Sequence, residues 1–210
     1  TAITGDVLIC NYSFSDPENI LDIIEDFSKC IEIHTDYLEA RTYRAAAILK
    51  GISSGDFTIS PIAESMVDTA FNDVNISISY SDIYEERDQS YNLFTGFQTI
   101  QDFKLLNYNT RASLNMLYAN YAAMLSDANE IIDLSKGVET DSHQYYFVQG
   151  YIFKIVSNYD KNGYFFDKVE ACKNINYILD RIYDDFNLNN PLIINNLNLL
   201  GILSETASCE

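Results

Sequence analysis

The chain has few of the residues from which catalytic centres are usually built. Histidine occurs twice in 210 residues, as His34 and His143, and neither lies in a Glu-x-x-His or His-Glu-x-x-His pattern. The sequence contains no glycine-rich phosphate loop, no Gly-x-Ser-x-Gly motif and no cysteine in a papain-like context. We therefore expect no catalytic residue, no metal site and no cofactor.

Proline and glycine are also scarce, with 3 and 8 residues. So little of either argues against a disordered or linker-rich chain. No apolar run approaches the roughly 18 residues that a membrane span needs. Residues Thr1 to Cys10 lack the basic region of a signal peptide, so we expect no secretion and no membrane contact.

The cysteines show no paired spacing. Cys10, Cys30, Cys172 and Cys209 lie neither in Cys-x-x-Cys motifs nor beside a histidine, which argues against a zinc site or a redox pair. With 47% hydrophobic residues, the chain has enough apolar material for a core without crosslinks. We predict free thiols in a reducing compartment.

Basic residues are few, with 13 Lys and Arg against 31 Asp and Glu, for a net charge of −18. A field of this sign repels nucleic-acid phosphates and anionic lipid, so we expect no sequence-specific nucleic-acid binding. The alternative is a solvated surface with no further role. The predicted acidic surface comprises Asp22, Glu25, Asp26, Glu32, Asp36 and Glu39.

Apolar residues at helical spacing predict a mainly α fold, an irregular multi-helix bundle in a single domain over 1–210. The predicted helices are one or two over 17–50 with a possible break near Cys30 to His34, then 82–93, 100–106, 110–136, an antiparallel pair on either side of Lys161-Asn162-Gly163, and 192–203.

Residues 56–81 predict a small extended or β element, either a hairpin or a projecting arm. Val74, Ile76, Ile78 and Tyr80 alternate with polar residues, which is the period of a half-buried strand. An orphan strand leaves backbone groups unpaired, so we expect contacts outside the bundle. The alternative is an extended loop lying on the helices.

Tyrosines are frequent in the second half of the chain. Tyr118, Tyr121, Tyr151 and Tyr159 are the candidates for a surface that packs against a partner, because large rings bury area at low entropic cost. The alternative is the edge of a core, with each hydroxyl reaching water.

In outline, the opening helix capped by Ser15-Asp16-Pro17-Glu18, the 74–81 segment and the long helices after it resemble the helical head-to-tail connector or ring proteins of tailed phages with AT-rich genomes, such as the crAss-like phages. The resemblance implies a non-enzymatic structural subunit in a virion or the cytoplasm. It also implies a cyclic homo-oligomer that contacts other structural proteins. Carboxylates suit a ring through which DNA slides, because phosphate does not adhere to them.

Two other functions stay open. The chain is alternatively an acidic helical binding module for a basic protein. The third possibility is a magnesium-dependent helical enzyme, in which Asp180, Asp184 and Asp185 face the carboxylates of the 16–39 region.

Overall fold

Helices form almost all of the regular structure. A computed structural model describes residues 20–55, 61–86, 97, 99–159 and 164–209, and within these ranges it contains no strand. The helices are α1 (Ile20–Ile33), α2 (Leu38–Ser54), α3 (Pro61–Glu86), α4 (Ile100–Leu117), α5 (Tyr121–Ser135), α6 (Asp141–Val156), α7 (Lys168–Asp185) and α8 (Pro191–Ala207). The predicted mainly α fold is confirmed.

The chain divides into two compact units, Thr1–Thr110 and Arg111–Glu210, and the boundary falls within α4. The break predicted after Cys30 is present, because α1 ends at Ile33 and α2 begins at Leu38. The predicted cap at 15–18 and the predicted turn at 161–163 lie outside the described residues.

The first unit has a core that mixes apolar and polar side chains. Phe27, Leu38 and Phe103 are almost fully buried. Beside them, the hydroxyl of Thr42 on α2 lies 2.9 Å from Oδ1 of Asn107 on α4. The same hydroxyl lies 3.2 Å from Oγ of Ser77 on α3. Buried polar groups need such partners, so these three side chains help to set how the helices of this unit meet.

The prediction of an extended segment at 74–81 is wrong, because these residues lie within α3. Val74 and Ile78 are buried, whereas Ile76 is half-buried and Tyr80 is exposed, as four-residue spacing on a helix requires. The polar residue Ser77 is buried between them through its contact with Thr42. In this segment a polar residue is therefore not always an exposed one, and the alternation of apolar and polar residues does not indicate a strand. Residues 56–60 lie outside the described part of the chain.

Two predicted helix boundaries are also wrong. Asp82 does not start a helix but lies inside α3, where its carboxylate pairs with Nζ of Lys104 at 2.7 Å. The long helix predicted over 110–136 is interrupted between α4 and α5, where Ala119 has a positive φ of 52°. Asn120 stabilises this break by donating its backbone N–H to the carbonyl of Asn115 at 2.8 Å.

The second unit has a core rich in isoleucine between α6, α7 and α8, which includes Ile155, Ile178 and Ile193. On its other side α6 approaches α5 closely at Gly150, where an added Cβ would lie 2.7 Å from Cγ1 of Ile132. Glycine at this position therefore allows the two helices to pack at this distance.

A buried carboxylate joins α5 to the last turns of α4. Asp127 accepts hydrogen bonds from Nη2 of Arg111 at 2.7 Å and from Nδ2 of Asn115 at 3.2 Å. Burial raises the pKa of the Asp127 carboxyl group, whereas the Arg111 guanidinium acts in the opposite direction. The cost of burying this carboxylate therefore outweighs the stabilisation of its charge by Arg111.

The prediction of free thiols is wrong for the described cysteines. Cys172 in α7 and Cys209 after α8 form a disulfide with a Cα–Cα distance of 5.3 Å, and Cys30 is also disulfide-bonded. Cys172 lies near the start of α7 and Cys209 lies beyond the end of α8. The two helices are antiparallel, which brings positions that are 37 residues apart into bonding distance.

Candidate functional site

The second unit exposes an apolar stripe on α8. Leu192, Leu199 and Ile202 are 49%, 39% and 61% exposed, and their spacing of seven and then three residues places them on one side of the helix. The core-facing side of α8 instead carries Ile193 and Leu200, which are fully buried. The helix is therefore apolar on two sides, of which one has no cover within the described residues. We call Leu192, Leu199 and Ile202 the α8 stripe.

The segment before α7 and the first turn of α7 also expose large apolar side chains. Phe166 and Val169 are 76% and 80% exposed. The backbone beneath them is nevertheless held, because the N–H of Phe166 donates to the carbonyl of Asn158 at 2.7 Å. The rings of Tyr159 and Phe165 also meet, with centroids 4.3 Å apart. Exposed apolar residues on a fixed backbone are typical of surfaces that a partner covers.

A cleft in the second unit has α6 as its floor and α5 and α7 as its walls. One end is a cavity of about 270 Å³, and its charged and aromatic lining consists of Asp133, Lys136, Phe147, Tyr151, Lys154 and Tyr177. Phe147 also lines a second cavity of about 460 Å³, to which Glu139, Gln144, Arg181 and Asp185 contribute. We call the two together the α6 cleft.

Aromatic rings and ammonium groups adjoin in the smaller cavity. The Tyr151 ring lies 5.2 Å from the rings of both Phe147 and Tyr177, measured between centroids. The Nζ atom of Lys154 lies 5.8 Å from the Tyr151 centroid, within the range of a cation–π contact. Burial, with the charge and hydrogen bond of Tyr177, raises the pKa of Tyr151 to about 12. Tyr151 is therefore a neutral phenol at physiological pH.

Arg181 occupies the wall of the larger cavity. Its guanidinium pairs with the Asp185 carboxylate one turn later on α7. Its Nε atom is buried and has no hydrogen-bond partner among the described residues. A buried donor without a partner is uncommon, so this atom marks a position where a further acceptor would be favourable.

The structure distributes the sequence-predicted interaction residues over both units. Val74 and Ile78 belong to the core of the first unit and are unavailable to a partner, so their assignment is wrong. The physical reason is the helical register of α3. Ile76 is half-buried and Tyr80 exposed on the same helix of the first unit, whereas the predicted tyrosines of the second half belong to the second unit.

The four tyrosines predicted to contact a partner differ in exposure and in their relation to the α6 cleft. Tyr118 is 54% exposed, and Tyr121 and Tyr159 are half-buried. Burial raises the pKa of Tyr159, with a smaller contribution from the charge of Tyr121. Tyr151 alone among the four lines the α6 cleft.

Most of the predicted acidic surface is exposed. Asp22, Glu25, Glu32 and Asp36 are exposed and Asp26 is half-buried, whereas Glu39 is fully buried, so its assignment to the surface is wrong. Glu39 lies in the first turn of α2, where the helix dipole favours a carboxylate. The pKa of Lys29 is raised, chiefly by its hydrogen bond to Glu25.

Metal ligands do not cluster in the described residues, where no group of three or more His, Cys, Asp or Glu side chains could hold an ion. Asp185, one of the predicted magnesium ligands, instead pairs with Arg181. None of the described helices is both long and apolar enough to cross a bilayer.

Sequence reasoning missed the cleft residues Phe147, Lys136, Lys154 and Arg181. The sequence signal for Lys136, Lys154 and Arg181 is that basic residues are rare in this chain, and Phe147 has no such signal. Comparison with family models, curated proteins and solved structures finds no match for this chain. Functional inference therefore rests on its own residues.

Proposed function

We propose that this protein is a non-enzymatic structural subunit of a larger assembly, in which copies of the chain pack against each other through the α8 stripe. The observation that carries the proposal is the exposure of Leu192, Leu199 and Ile202 along one side of a helix. An uncovered apolar helix face next to a complete core favours association.

Charge favours a second copy over a basic partner at this surface. Pro191–Ala207 contains a single charged residue, Glu205, in a chain whose net charge is −18. Two such chains repel each other least where carboxylates are absent. A basic partner would instead be drawn to the carboxylates of α1, which is the alternative function, an acidic binding module.

In its most specific form, the proposed assembly is the phage head-to-tail connector ring that the sequence resembles, in which the α8 stripe of one copy contacts a different surface of the next copy. In that ring the acidic residues of α1 face the lumen or solvent, since burial of unpaired carboxylates is costly. The Cys172–Cys209 disulfide favours the virion over the reducing cytoplasm as the location, because disulfides persist in oxidising surroundings.

Analytical ultracentrifugation at tens of micromolar protein, in 50 mM and 500 mM salt, tests the proposal. We expect an oligomer that tightens with salt, because salt screens the repulsion between copies. The variant Ile202→Glu should sediment as a monomer. The matched control is Ile33→Glu, because Ile33 on α1 is 58% exposed and lies in the other unit.

Two results would refute the proposal. A wild-type chain that stays monomeric at both salt concentrations excludes self-assembly and leaves the acidic binding module ahead. An Ile202→Glu variant that assembles as well as the wild type excludes the α8 stripe as the contact.

A further inference from the structure

We propose that the smaller cavity of the α6 cleft binds a small aromatic acid in its anionic form, a flat apolar body that carries one negatively charged group. The proposal does not depend on assembly, because no residue of the α8 stripe lines the cleft. Its physical basis is that two lysines and three aromatic rings line one cavity whose volume suits such a ligand.

The smaller cavity of the cleft is opposite in charge to the chain, whereas the larger cavity is lined by the acidic residues Glu139 and Asp185 beside Arg181. Lys136 at the end of α5 and Lys154 on α6 line the same cavity, and neither forms an ion pair with any described residue. In a chain with more than twice as many acidic as basic residues, two ammonium groups left without a carboxylate are unexpected. Asp133 is the one acidic residue in this lining, so the cavity has a net positive charge.

One donor atom in the wall of the adjoining cavity also lacks an acceptor among the described residues, although the guanidinium to which it belongs pairs with Asp185. This atom is the buried Nε of Arg181. A carboxylate or sulfonate on a ligand supplies several acceptor lone pairs to such groups. The hydroxyl of Tyr151 stays protonated because its pKa is about 12, so it adds no negative charge that would repel an anion.

The aromatic lining of the cavity indicates that the apolar part of the ligand is itself aromatic. Phe147 and Tyr151 on α6 and Tyr177 on α7 form a continuous set of ring contacts in the lining of this cavity. Aromatic walls favour offset or edge contacts with another flat ring. A cavity of roughly 150 Å³ is sufficient for benzene. The volume of about 270 Å³ beside these rings therefore suits a body of two rings.

The probe for the test is 8-anilinonaphthalene-1-sulfonate, which combines a two-ring body, a further phenyl ring and a sulfonate. Fluorescence titration and calorimetry measure its affinity for the full chain in the disulfide-bonded state. We expect one saturable site whose affinity falls roughly threefold to tenfold in Lys136→Met and in Lys154→Met, and falls in high salt.

The matched control is Lys173→Met, because Lys173 lies on α7 outside the cleft lining, is 75% exposed and pairs with Glu170. N-phenyl-1-naphthylamine has the same aromatic body without the sulfonate, and its affinity should not change in the lysine variants. Circular dichroism establishes that each variant is folded.

The variant Ile202→Glu separates the cleft from the α8 stripe, which is also apolar. Binding that disappears in Ile202→Glu but persists in the lysine variants places the probe on the stripe and overturns the proposal. The proposal is also overturned if the sulfonate probe does not bind, if both lysine variants bind it like the wild type, or if Lys173→Met weakens it equally. Loss of assembly in Ile202→Glu with normal probe binding supports the cleft.

Discussion

Asp73 is the residue whose replacement should destabilise the first unit most. Its side chain on α3 is fully buried and accepts hydrogen bonds from two arginines of α2. Arg44 binds it in a bidentate manner, with Nε at 2.7 Å from Oδ2 and Nη2 at 2.9 Å from Oδ1. Arg41 adds a third bond from Nη1 to Oδ1 at 3.1 Å. The side chains of both arginines are less than one-sixth exposed.

The substitution Asp73→Asn keeps the shape of the side chain and removes its charge. Breaking a buried ion pair from one side costs about 3–5 kcal/mol, because the opposite charge stays buried. Here the guanidinium of Arg44 keeps a bond to Ser28 and that of Arg41 keeps a bond to the Thr35 carbonyl. We therefore expect the lower end, a loss of about 3 kcal/mol from the free energy of unfolding.

Hydrogen exchange with mass spectrometry in increasing urea measures this loss separately for each unit. Peptides from α1, α2 and α3 should lose protection at lower urea in Asp73→Asn, whereas peptides from α7 and α8 should not change. The matched control is Asp68→Asn, because Asp68 is an exposed residue on the same helix. Its effect should stay within about 0.5 kcal/mol.

A loss below about 1 kcal/mol in Asp73→Asn would refute the reasoning, since it would mean that the buried charges relax at little cost. A second variant tests the same argument from the other side. Replacing Arg41 and Arg44 with Met together with Asp73→Leu should recover most of the stability, because an apolar set leaves no charge unpaired.

The remaining predictions concern the second unit. Replacing both Cys172 and Cys209 with Ser should lower its free energy of unfolding by about 4 kcal/mol in urea titrations, because the bond closes a loop of 37 residues. For Tyr151, burial raises the folded-state pKa to about 12 from an ordinary value near 10, so its contribution to stability is complete below pH 10 and is lost as pH rises through 12. Melting temperatures from pH 8 to 12, with tyrosinate absorbance, check this, and a flat profile would contradict it. Gly150→Ala should destabilise the unit by about 1–3 kcal/mol, because the new Cβ lies 2.7 Å from a side-chain carbon of α5. Gly201→Ala, on α8 with open space around the Cβ, should stabilise it by about 0.5–1 kcal/mol in the same thermal assay.

Helices with a regular apolar stripe were predictable from the sequence. Ile20, Ile24, Phe27 and Ile31 recur at helical spacing, and all four are buried on one side of α1. In α7, likewise, Ile175, Ile178 and Ile182 follow the helical period and are fully buried. At these positions apolar character and burial coincide, so the periodicity of the sequence predicts the buried side of the helix.

The prediction failed where buried positions are polar. In α3 the buried side includes Asp73 and Ser77, so the polar positions of the sequence do not mark the exposed side of the helix. The same holds for Glu39, a carboxylate in the predicted acidic surface that is fully buried. Asp73 and Ser77 are hydrogen-bonded to groups distant in the sequence, and no local sequence pattern indicates such partners.

By itself, the sequence determined the helical class, the acidic net charge and the absence of the usual catalytic motifs. These properties depend on composition and on local spacing, which folding does not alter. Only the tertiary structure decided that Cys172 meets Cys209, that Asp73 is buried with two arginines, and that Lys136 and Lys154 line one cavity. Each of these arrangements brings together residues of different helices or of segments distant in the sequence. Their proximity follows from helix packing, which local sequence patterns do not encode.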